Sequence, residues 1–161
     1  MESLEIVSRA SIWLALVLYT AGEWMRSRSP ETPKARWIWT GGCGFYVLHV
    51  LTAFSVFHDW SHQAATTHTA LQTETLTGQA WGWGIYVNHI FTALWLSESL
   101  AWWLAPGRYL NRPRRITLWI RGFFLFMIFN GAVIFVAAER RSLGLLLFAL
   151  LLWIWRPRRK I

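Results

Sequence analysis

All five histidines of this 161-residue chain lie in one stretch of sequence, between residues 49 and 89. Imidazole is the commonest metal ligand in proteins and also a frequent ligand of haem iron. Because the rest of the chain contains no histidine, this stretch is where we expect any metal or haem chemistry to be found.

His49 and His89 fall inside two successive apolar segments, which we predict to be neighbouring antiparallel helices. Each histidine is roughly 12 to 14 Å from the outer end of its predicted helix, at about 1.5 Å per residue. Two neutral imidazoles at matched depth are what a bis-histidine haem b requires in a helix bundle. Two alternatives remain open, namely another bound metal or a simple hydrogen bond between closely packed helices.

A second group of candidate ligands lies in the polar segment between these two helices, and consists of His58, Asp59, His62 and His68. His58 and His62 are spaced by one helical turn, so a continuous helix would allow both to bind one metal. Imidazole and carboxylate ligands suit a zinc or copper ion. The alternative is that these are ordinary solvated histidines, because an H-x-x-x-H pattern is common by chance.

The composition indicates an integral membrane protein, with 55% hydrophobic residues, 15% charged residues and 13 tryptophans. We predict an all-α membrane helical bundle that forms a single transmembrane domain over residues 1–161. Its five transmembrane helices are predicted at about residues 8–25, 37–57, 80–105, 116–138 and 142–156, with an outer helix or loop at 58–79. Ser61 or Asp59 would cap the outer helix and Gly78 would end it. The segment 142–156 is short and would need tilt or local thinning of the bilayer to cross.

The basic residues predict how this bundle is oriented. With five spans, 12 of the 16 Lys and Arg residues fall on one side of the membrane. The positive-inside rule then places the N-terminus outside and the C-terminus in the cytoplasm, in a plasma membrane or bacterial inner membrane. Tryptophans, Trp39 and Trp102 among them, fall near the predicted water-lipid boundaries, where indole is favoured.

Two charged residues lie within the predicted third and fourth transmembrane helices, Glu98 and Arg121. An unpaired charge at that depth is costly, so we expect these two side chains to form an ion pair. The single cysteine, Cys43, leaves neither a disulfide nor a thiolate metal site within one chain.

No nucleophile elbow, P-loop or dinucleotide-binding motif is present in the sequence, and we assign no catalytic residues. Nucleic-acid binding is not indicated, because the basic residues cluster at the ends of apolar segments.

We expect a small multi-pass membrane protein whose partners are the lipid bilayer and other membrane subunits or a second copy. Its predicted role is electron transfer with a haem b or metal held by His49 and His89. The alternatives are a cofactor-free scaffold or assembly subunit and a metal-binding protein that uses the outer group of ligands.

Overall fold

The computed structural model describes residues 2–156, and all regular structure in this range is helical. The α-helices are α1 (Glu2–Arg28), α2 (Pro33–His58), α3 (His62–Thr77), α4 (Gly84–Leu104), α5 (Pro106–Leu110), α6 (Arg114–Phe129) and α7 (Arg141–Trp155). A π-helical turn, Asn130–Ile134, continues α6, and a short 3-10 turn, Ala138–Arg140, precedes α7. The all-α prediction is confirmed for these residues. Three residues of the predicted cytoplasmic basic cluster, Arg158, Arg159 and Lys160, lie outside the described range.

The predicted outer helix at 58–79 corresponds to α3, and its ends follow local side-chain chemistry. The Ser61 hydroxyl accepts a hydrogen bond from the Ala64 N–H (3.2 Å), which caps the first turn. Gly78 ends the helix in a left-handed conformation (φ 76°) that glycine adopts without strain. Asp59 is not part of this cap, because it terminates α2 instead.

Within residues 2–156, three helical segments are long and apolar enough to cross a membrane: α1, α2, and α6 together with its π-helical turn. Helix α4 has 21 residues but includes Glu98 and other polar side chains, and α7 has only 15 residues. Helix α4 is therefore long enough but not apolar enough, and α7 is too short, to count with these three segments. Helix α4 also begins four residues later than the predicted residue 80, which changes the depth of the histidine it contains.

Aromatic rings fill the middle of the bundle. Tyr19 of α1, Trp39 of α2, Trp95 of α4 and Phe124 of α6 are almost fully buried, with relative exposures of 1% or less. Their ring centroids lie 4.8 to 6.2 Å apart in stacked, tilted and edge-to-face arrangements. Trp102 is buried as well, so Trp39 and Trp102, which were expected near a water-lipid boundary, face other helices.

Helices α1 and α2 approach each other closely at Gly42. A Cβ atom at this position would lie 3.2 Å from the Ala15 carbonyl oxygen and from the Tyr19 amide nitrogen. The missing side chain at Gly42 therefore lets α1 lie against α2, in keeping with the role of small residues between membrane helices.

The π-helical turn brings α7 against the end of α6. Within it the Asn130 carbonyl accepts a hydrogen bond from the Phe135 N–H (2.9 Å), five residues later. The Ala132 carbonyl faces Gly144 of α7 so closely that a Cβ atom there would overlap it. Only glycine fits at this contact.

We expect Gly144→Ala to lower the stability of the bundle by about 1 to 3 kcal/mol, because α7 must move away from Ala132. Gly122→Ala is the matched control, since Gly122 has open space around it in α6 and alanine is the better helix former there. Unfolding of both variants in detergent, followed by circular dichroism, measures the difference. Equal stabilities would contradict the close contact.

Candidate functional site: a histidine-lined cavity

A cavity of about 420 Å³ opens at the end of the bundle where α2 ends and α4 begins. We call this end the histidine end, and the cavity the histidine cavity. Its walls are residues of α1, α2, α4 and α6 with the π-helical turn, and Thr69 of α3 reaches it as well. Most lining side chains are apolar, whereas His49, His58 and His89 supply imidazoles, as expected of a site that binds a small molecule or cofactor.

His49 is held in a defined orientation by α1. Its Nδ1 lies 2.8 Å from the carbonyl oxygen of Ser8 and 3.3 Å from the Ser8 hydroxyl. Because a carbonyl only accepts hydrogen bonds, Nδ1 carries the proton and Nε2 keeps its lone pair. Metal-bound histidines usually have this arrangement, in which the other ring nitrogen donates to a carbonyl or carboxylate. The sequence analysis did not predict this contact, although Ser8 lies at the start of the first predicted helix.

His89 does not lie opposite His49 as predicted. His89 comes five residues after the start of α4, whereas His49 comes nine residues before the end of α2. At 1.5 Å per residue their depths are roughly 8 and 14 Å, so the expectation of matched depth is wrong. The ring of His89 neighbours Phe54 (6.0 Å) and His62 (5.4 Å) instead. Both histidines line one cavity, at different levels.

The four predicted outer ligands are not gathered around one point. Helix α2 ends at His58, and Asp59 and Trp60 adopt left-handed conformations (φ 45° and 58°), so His58 and His62 do not share a continuous helix. The His58 ring lies 5.3 Å from that of His68. Among residues 2–156, no group of three or more His, Cys, Asp or Glu side chains is placed to hold a metal ion.

The predicted ion pair between Glu98 and Arg121 is wrong, because each side chain has another partner. Glu98 accepts two hydrogen bonds from Arg112 Nη1 (2.6 and 2.7 Å), and Arg112 lies in the turn between α5 and α6. Arg121 faces α1, where its Nη2 lies 2.9 Å from Glu23 Oε2. Both charged side chains are therefore paired, as the cost of burial requires, but with residues that the sequence analysis did not consider.

Glu23 is a fully buried carboxylate at the end of the bundle opposite the histidine end, which we call the basic end. Besides Arg121 it contacts Arg26 Nη2 (2.6 Å) and accepts a hydrogen bond from Trp155 Nε1 (2.6 Å). Arg26 in turn donates to the Tyr109 hydroxyl (2.9 Å), and burial raises the pKa of that hydroxyl, which keeps it protonated. A lone acidic residue within an apolar segment was the sequence signal for Glu23.

The chain matches no family model and resembles no curated protein and no solved structure. The basic end is closed by ion pairs and aromatic rings, whereas the histidine end has an open cavity with an oriented imidazole. Ligand binding is the chemistry that this arrangement supports.

We expect Glu23→Gln to lower stability by about 3 to 5 kcal/mol, because Arg26 and Arg121 would keep their buried charges without a compensating anion. Glu5→Gln is the matched control, since the ion pair of Glu5 with Arg9 is exposed and worth less than about 1 kcal/mol. Denaturant titration in detergent measures both changes. If the two variants are equally stable, Glu23 does not hold the helices together.

Proposed function

We propose that the chain is a multi-pass membrane protein that binds a haem b in the histidine cavity, with His49 as an axial ligand, and serves as an electron-transfer subunit. The observation that carries this proposal is the orientation of His49 on a mainly apolar wall. Its Nδ1 is engaged by Ser8, so Nε2 is the nitrogen that would bind iron. Haem would supply the one-electron chemistry, and the chain would supply the axial ligand and a pocket that excludes water.

The surroundings of His49 suit a large flat cofactor. Tyr46 and Trp95 stack with a centroid distance of 5.3 Å, and both line the histidine cavity, so their rings would meet an inserted macrocycle. The π-helical turn also lines the cavity, and such turns occur frequently at functional sites. His89 also lines the cavity, nearer its mouth, and would make a polar contact at the edge of the cofactor.

The proposal includes five membrane crossings, with α4 and α7 in addition to the three helices of sufficient length and hydropathy. Helix α4 packs within the bundle through Phe91, Trp95 and Trp102, which are buried against other helices. The charge distribution supports the same topology. Ten basic residues of the described range gather at the basic end: Arg26, Arg28, Lys34, Arg36, Arg108, Arg112, Arg114, Arg115, Arg121 and Arg156. The basic end would face the cytoplasm and the N-terminus the outside.

Cysteine labelling in intact cells tests this topology. Cys43 is the only cysteine, so Cys43→Ser provides a background without thiols. We expect Glu74→Cys in α3 and Glu139→Cys before α7 to react with a membrane-impermeant maleimide from outside. Lys34→Cys and Arg108→Cys should react only after permeabilisation. Labelling of position 139 from the same side as position 108 would contradict the crossing proposed for α6, and labelling of position 74 from the same side as position 108 would contradict that proposed for α4.

The visible spectrum of the purified protein, produced with ample haem, tests the cofactor. We expect a Soret band when oxidised and a sharp α band after dithionite reduction, and we expect both to be lost in His49→Ala. His68→Ala is the matched control, because His68 is exposed and does not line the cavity. In His49→Gly, added imidazole should restore the spectrum, which separates loss of a ligand from loss of the fold.

Two results would contradict the haem proposal. A featureless spectrum of the unaltered protein would leave a cofactor-free scaffold or assembly subunit as the better interpretation. A full spectrum in His49→Ala would show that iron is bound elsewhere.

A further inference from the structure

We propose that His58 and His68 form a two-imidazole site for a divalent transition metal at the rim of the histidine cavity. This site differs from the one expected from the sequence, because Asp59 and His62 take no part in it. It does not depend on haem, since neither imidazole is a proposed axial ligand.

A strained turn brings the two histidines together although they are ten positions apart in the chain. Asp59 and Trp60 are consecutive non-glycine residues in the left-handed region, a conformation that is unfavourable for residues with a side chain. Backbone hydrogen bonds hold the turn, from Trp60 N–H to the Phe54 carbonyl (3.0 Å) and from Ser61 N–H to the His58 carbonyl (2.7 Å). Helix α3 is thereby folded back towards α2, and His68 comes to lie beside His58.

The distance between the two rings fits a shared metal. Imidazole nitrogens bind zinc at about 2.0 to 2.1 Å, so two imidazoles on one tetrahedral ion have ring centroids roughly 5 Å apart. The observed centroid separation of His58 and His68 is 5.3 Å. Phe54 packs edge-to-face on His58 at 5.4 Å and restricts the movement of that ring.

His58 also has a nitrogen that the protein leaves without a partner. Its Nδ1 is buried and makes no hydrogen bond with any of the described residues. Buried polar atoms are nearly always satisfied, so an unmatched one calls for a ligand, ion or water. A metal at this position would satisfy Nδ1, and the exposed surroundings of His68 would allow water to complete the coordination shell.

The ligand set determines which metals are expected. Neutral imidazoles suit zinc, copper and nickel, and the Irving–Williams order makes Cu²⁺ the tightest of these. A metal shared by His58 and His68 would connect the end of α2 to α3. Because His58 and Thr69 both line the cavity, the metal would hold α3 in place at the cavity mouth.

Titration of the detergent-purified protein with Cu²⁺ and with Zn²⁺, using an affinity tag without histidine, tests the site. We expect His58→Ala and His68→Ala each to weaken binding by at least about tenfold, because loss of even an outer-shell partner costs about 10- to 100-fold. His62→Ala is the matched control, since His62 is an exposed histidine of the same helix whose ring lies beside His89. It should bind both metals as the unaltered protein does.

A second measurement makes the result independent of folding defects. Bound Zn²⁺ should raise the unfolding temperature of the unaltered protein and of His62→Ala, but not of His68→Ala, in which only an exposed side chain is changed. Unchanged affinity in both His58→Ala and His68→Ala would overturn the proposal. Loss of binding in His62→Ala alone would also overturn it, by moving the site to the pair formed with His89.

Discussion

The buried carboxylate of Glu23 fixes the arrangement of three helices. It has no contact with water, so the protein itself must compensate its charge. Arg26 does so from the same helix, Arg121 from α6 and the Trp155 N–H from α7. These donors must converge on one carboxylate, because an uncompensated charge in this interior would cost several kcal/mol. These contacts fix the positions of α1, α6 and α7 relative to one another at the basic end.

The consequence is a bundle whose two ends differ in packing. Rings of Tyr19, Trp39, Trp95 and Phe124 fill the space next to the ion pairs and leave little room for rearrangement. Trp95 also lines the histidine cavity, so the aromatic core ends where the cavity begins. A ligand at the histidine end can therefore be accommodated without disturbing the buried charges. The open space therefore lies at the end of the bundle that contributes less to the packed core.

The sequence could predict the helices but only part of the site. Apolar runs indicated the helices, and Ser61 and Gly78 marked the ends of α3, because capping is local chemistry. The contact between His49 and Ser8 could not be predicted, since the two residues are 41 positions apart and meet only through the packing of α1 against α2. The partner of Glu98 could not be predicted either, because it depends on how the turn after α5 directs Arg112. The partners of His49 and Glu98 are determined by how the helices pack, and the spacing of residues in the chain does not show this.

The turn at Asp59 and Trp60 has an unfavourable backbone conformation, and it brings histidines of α2 and α3 together. A continuous helix would have placed His58 and His62 one turn apart on a solvated surface, where two imidazoles have no reason to be ordered. Because the helix breaks here, Asp59 and Trp60 adopt left-handed conformations. Helix α3 then lies against α4 near its start. The resulting imidazole pairs join different helices, so a ligand bound there acts on tertiary structure. Thr69 of α3 lines the histidine cavity, so the position of α3 determines the shape of the cavity mouth.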